Sequence, residues 1–177
     1  LFRPISDALL LKQTGEAKNA NALDEVPDSS WFENRLSRRQ LSTEELVRGS
    51  CTAPPPESEL PWTVVGAKLE GQTPGFRIRT AKGHVYFLEF DFPRQPELAS
   101  IAGVFGSRVY FAAGFHAVCD RVAFFREEDM VVPPVEKQGG KKRISPQEVH
   151  DILTHAPPPR DGKFRVKASL LAEGEPL

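Results

Sequence analysis

HVYFLEFDF, residues 84–92, decides how the chain folds. A run this rich in aromatic residues, with a β-branched valine and no helical period, predicts a strand. Strand side chains alternate faces, so Tyr86, Leu88, Phe90 and Phe92 share one face, and Val85, Phe87, Glu89 and Asp91 share the other. The first set reads as core. The second sets two carboxylates beside two apolar residues. That reads as a half-exposed sheet face bearing charge, with a functional carboxylate at Glu89 as the alternative.

This strand has neighbours on both sides. WTVVGAKL (62–69) and GFRIRT (75–80) are strand-like, and between them Thr73-Pro74-Gly75 offers the proline and glycine of a type II turn. AKG (81–83) is a second tight turn, giving an antiparallel meander. In PELASIAGVFGSRVYFAAG (96–114) the period changes. Leu98, Ile101, Ala102, Phe105, Val109 and Ala112 recur at helical spacing, Pro96 fits the first helical position, and Gly114 stops the run, predicting a helix over 97–113. Gly103 and Gly106 inside it each cost about 1 kcal/mol against alanine, so both are expected to face the sheet, where close approach needs them.

RVAFF (121–125) and MVV (130–132) follow as strands. SPQEVHDILTHA (145–156) is a helix capped by Ser145 and Glu148. KFRVKASLL (163–171) is a last strand, with Phe164, Val166, Ala168 and Leu170 on one face. The order β-β-β-α-β-β-α-β predicts an α+β domain over 62–177. It should be a mostly antiparallel, twisted sheet of five or six strands with one main packed helix.

Residues 1–61 read as an extended arm. LSTEELVRG (41–49) is a short helix in it, capped by Ser42 and Glu45 and ended by Gly49. CTAPPPESELP (51–61) reads as an extended connector. NALDEVPDSSWFENR (21–35) reads as a clamp on the sheet domain, with Trp31 and Phe32 mostly buried against it.

Composition excludes several function classes. The 177 residues carry 23 Lys and Arg against 24 Asp and Glu, so no net field recruits nucleic acid or an anionic membrane. No apolar run is long enough to cross a bilayer. The chain opens on Leu1 and its one methionine is Met130, so it reads as a processed or partial chain. Cys51, Cys119 and four scattered histidines make no zinc signature. The cysteines read as buried, unpaired thiols, a disulfide being the alternative. No nucleophile elbow, Cys/His pair or paired-carboxylate spacing appears. KQGGKKR (137–143) has the charge to hold an anion but reads as a solvated loop. The loop 70–75 has glycines whose amides could approach a phosphate, although a Pro-Gly turn explains the same spacing.

Four stretches together carry a resemblance: NALDEVPDSSWFENR, TPGFRIRTAKGHVYFLEFD, PELASIAGVFGSRVYFAAGF and FRVKASLLAEGEPL. Over most of residues 21–177 the chain resembles a family of largely uncharacterised bacterial proteins with an atypical, protein-kinase-like fold. The resemblance implies the N-terminal lobe. Gly71, Thr73 and Gly75 would occupy the Gly-rich, phosphate-covering loop, strand 84–91 would be the third strand, and residues 169–175 would approach the hinge. A kinase holds its phosphates with a third-strand lysine oriented by a helix glutamate. Those positions fall on Glu89 and Gly103 here, so a lone Glu89 would repel phosphates. Neither H-x-D-x-x-x-x-N nor D-F-G occurs in the chain. The resemblance therefore implies a degenerate, non-catalytic lobe without cofactor or metal, whose partner would be a C-terminal continuation of its own chain. It also points to an extracytoplasmic location. A stand-alone interaction domain with no nucleotide site is the alternative.

Overall fold

The computed structural model describes residues 26–68, 73–135 and 144–172. Residues 21–25 of the clamp, Gly71, the basic loop 137–143 and the end of the hinge-like segment at 173–175 lie outside the described residues.

The fold is α+β. Its strands are β1 (Trp62–Ala67), β2 (Gly75–Arg79), β3 (Val85–Glu89), β4 (Asp120–Phe125), β5 (Met130–Val131) and β6 (Phe164–Leu170). Among the described residues, four α-helices accompany them: α1 (Arg35–Arg38), α2 (Thr43–Arg48), α3 (Leu98–Ala113) and α4 (Pro146–His155). The strands form one sheet in the order β4-β6-β3-β2-β1-β5. Every neighbouring pair is antiparallel except β1 with β5, which is parallel.

Alternation along the strands builds the core. Val64, Phe76, Ile78, Tyr86, Leu88, Ala123, Phe125, Val166 and Ala168 are buried on one face. Trp62 joins them, its indole N–H donating to the Pro56 carbonyl at 2.8 Å. Val149 and Leu153 of α4 close this side. Capping boxes start α2 at Ser42/Glu45 and α4 at Ser145/Glu148, as their spacing predicts. Phe92, expected in the core, is exposed, because β3 ends at Glu89 and the chain turns away.

The helix α3 inverts its expected orientation. Ser100 and Ser107 are its buried residues, while Leu98, Ile101, Phe105, Val109 and Tyr110 are exposed. Small side chains face the sheet and let the helix lie close to it, so the apolar stripe points outward. Gly103 is one of the close approaches: a Cβ there would stand 2.8 Å from Cδ of Lys167. Gly106 is not, since nothing lies within 4 Å of its Cβ position. Nor does Pro96 open the helix. Glu97, in the left-handed region at φ 72°, is the N-cap residue, and Asp91 accepts from the Ser100 amide at 2.7 Å.

Three other expectations are corrected. Gly75 lies in β2 rather than in a type II turn, and its φ is not positive. It is glycine because a Cβ would fall 1.9 Å from the Leu88 carbonyl oxygen. The proline-rich connector contains a 3-10 turn over Pro56–Glu59, with buried Glu59 accepting from Thr80 Oγ1 at 2.7 Å. Cys51 and Cys119 form a disulfide, since the arm's return path lays Cys51 beside the start of β4.

The arm docks through a different residue from the one expected. Trp31 is 61% exposed, resting on Phe115 at 5.8 Å between ring centroids. Phe32 is half-buried and bridges Phe115 through the backbone. The buried anchor is Arg35, 7% exposed. Its guanidinium donates to the carbonyls of Phe111 and Phe115 and lies 4.4 Å from the centre of the Phe111 ring. Gly114, at φ 109°, ends α3 and also admits the arm, because a Cβ would stand 2.5 Å from the Glu33 carbonyl oxygen.

Candidate functional site

Glu89 sits in a row of residues that crosses the sheet on the face that α3 covers. Gly75 of β2 and Lys167 of β6 are its direct cross-strand partners. Opposed residues in antiparallel strands share a face, so Lys167 stands beside Glu89. Their ion pair is 3.1 Å long. On the other side, Lys68 follows the last residue of β1, and its Nζ lies 3.2 Å from Glu89 Oε1. The strand between them contributes only Gly75, which has no side chain to stand in the way. The Lys68 amide donates to the Gly75 carbonyl at 3.2 Å, holding the lysine over that gap.

Glu89 is thus neither a solvated charge nor a lone one. Its side chain is 23% exposed. Burial opposes its charge, but the hydrogen bonds and charges of Lys167 and Lys68 outweigh burial and hold its pKa below the usual glutamate value. Lys167 reaches on to Asp120 at 4.0 Å.

The sequence-predicted positions fall around this row. Thr73 is occupied: its carbonyl and hydroxyl accept from Lys68 Nζ at 3.1 and 2.8 Å. Gly75 lies opposite Glu89. Gly103 lies over Lys167, so positions 89 and 103 flank the same lysine. Among the described residues, no cluster of three or more potential metal ligands occurs, and no helix is long and apolar enough to cross a membrane.

A second acid–base pair joins Asp91, two residues past the end of β3, to Arg165, two residues before Lys167 in β6. Arg165 Nη1 donates to Asp91 Oδ2 at 2.9 Å and also to Ser100 Oγ. Asp91, 3% exposed, additionally accepts from the Ser100 hydroxyl at 2.7 Å. Reading the sequence strand by strand missed Lys68, Lys167 and Arg165. Lys167 and Arg165 alternate with core residues in KFRVKASLL, but only the pairing of β6 with β3 identifies their partners. Comparison with protein-family models, with curated proteins and with solved structures finds no match for this chain.

Proposed function

We propose that this chain is the N-lobe-like part of an atypical kinase-like protein, with a degenerate phosphate site and no catalysis of its own. One observation carries the reading: on the third strand, Glu89 stands between Lys68 and Lys167, and Lys167 lies beneath position 103 of the packed helix. A kinase places a lysine on that strand and a glutamate on that helix. Here both lysines near the position are bound to Glu89, and Lys68 also closes on Thr73. The element order supports the same reading: a β1–β2–β3 meander, a packed helix, then β4 and, after the short β5 and α4, β6, with β6 antiparallel beside the third strand and β4 antiparallel beside β6. The chain has neither the H-x-D-x-x-x-x-N nor the D-F-G segment that supplies a kinase's base and metal ligands.

Calorimetric titration with ATP and Mg²⁺ tests this. The expected result is no saturable binding up to millimolar nucleotide. Micromolar binding, lost when Lys68 is changed to alanine, would overturn the degenerate-site reading and make Lys68 a phosphate ligand.

A second reading, an interaction domain with no nucleotide site, is favoured by the exposed stripe Leu98, Ile101, Phe105 and Val109 on α3. The occupant it implies is a second copy of this chain. The one charged residue of α3, Arg108, is turned inward to the carbonyls of Val47 and Asp120, so two copies of the stripe meet without like charges opposed. Sedimentation equilibrium should then show a dimer that Phe105→Glu dissociates. A monomer at about 100 µM, well above typical dimer affinities, removes this reading.

A further inference from the structure

Where β3 gives way to α3, the chain encloses a cleft of about 780 Å³, within the size range of small-molecule sites. It lies beside the Glu89 row rather than in it. Its walls are apolar: Pro93, Pro96, Pro157, Pro158 and Phe124. Its lining also carries four cations against three carboxylates.

The cations are not equivalent. Arg165 is fixed by Asp91 and Ser100 through Nη1 alone, and among the described residues nothing accepts from its Nε or Nη2. Lys163 has no side-chain partner among the described residues, and Arg126 is only 3.9 Å from an exposed Glu128. Arg160 is satisfied by Glu97 at 3.0 Å. The α3 N-terminus is already filled by Asp91, so it is the guanidinium and ammonium groups that offer free donors. Backbone strain falls here too. Glu97 and Asp161 are the two non-glycine residues with positive φ among the described residues, and both line this cleft. Such conformations persist where surrounding structure holds them, and they cluster at binding sites.

We propose that this cleft binds a small amphiphilic anion: a carboxylate or phosphate headgroup on an apolar body. The headgroup meets Arg165, Lys163 and Arg126, and the body lies against Phe124 and the prolines. A half-buried guanidinium already oriented by Asp91 gives a charge-assisted contact at a lower entropy cost than ordering a free side chain.

The test uses the full chain and 8-anilinonaphthalene-1-sulfonate, an anionic headgroup on an apolar body, followed by fluorescence. Saturable binding is expected. The double variant Arg126→Glu/Lys163→Glu, changed at two exposed positions, should weaken it about tenfold or more, as expected for loss of charge-assisted contacts. Phe105→Ser, on the exposed stripe of α3, should leave it unchanged. Displacement by phenyl phosphate and not benzoate assigns a phosphate headgroup, and the reverse assigns a carboxylate. The proposal is overturned by absent saturable binding, by binding that Phe105→Ser removes and the double variant does not, or by displacement with neither competitor.

Discussion

Lys68 and Glu89 meet at 3.2 Å although a whole strand lies between their own strands. The contact exists because Gly75, opposite Glu89, has no side chain, and because the Lys68 backbone is hydrogen-bonded to Gly75. A glycine that suggested a phosphate loop thus serves close packing of strands and passage of a lysine.

Glu89 makes stability depend on acid. Its pKa is lowered in the folded chain, so its contribution is present above the unfolded pKa and is lost as pH falls through the folded one. Against Glu89→Gln, the wild type should be more stable by about 1–2 kcal/mol near neutral pH, between the values for exposed and buried pairs. The difference should shrink below about pH 4. Urea melts of both proteins at neutral and acid pH measure it. A difference that does not change with pH would show that the charge on Glu89 contributes nothing.

Two glycines should respond in opposite directions to alanine. Gly75→Ala forces a Cβ onto the Leu88 carbonyl and should destabilise by about 2 kcal/mol or more. Gly106→Ala meets nothing within 4 Å in the middle of a helix and should stabilise by up to about 1 kcal/mol. Thermal melts of the two variants check the contrast.

Glu89→Lys and Gly103→Glu should be non-additive. Each alone perturbs Lys167, the first by replacing its carboxylate partner with a like charge and the second by crowding its Cδ. Together they set an acid at 103 near the cations of strands β3 and β6. The coupling is expected to make the double variant more stable than the sum of the singles by about 0.5 kcal/mol or more. Strict additivity would show that the two positions do not communicate through Lys167.

The arm should be released by loss of Arg35 or of the disulfide, but not by loss of Trp31. The disulfide spans 68 residues of sequence, and its reduction should cost about 2–4 kcal/mol. Arg35→Ala strips two carbonyls of a donor and should speed proteolytic cleavage between residues 31 and 48. Trp31→Ala, at an exposed position, should leave cleavage nearly unchanged. Limited proteolysis with and without reductant separates these outcomes.

Local chemistry determined the elements. Ser42/Glu45 and Ser145/Glu148 mark helix starts because a capping box needs only four consecutive residues. The alternation of Phe164, Val166 and Ala168 marks a strand and its buried face, because a pleat repeats every two residues. The α+β class and the antiparallel meander follow from those signals. What a stretch packs against is not local. The period of Leu98, Ile101, Phe105 and Val109 shows a helix face, yet the sheet took the opposite face, where Ser100, Gly103 and Ser107 permit closer approach. Cys51 carries no mark of Cys119, and Glu89 none of Lys68 and Lys167. Their pairing depends on strand order and register, which are set by the whole packed core and not by any one segment.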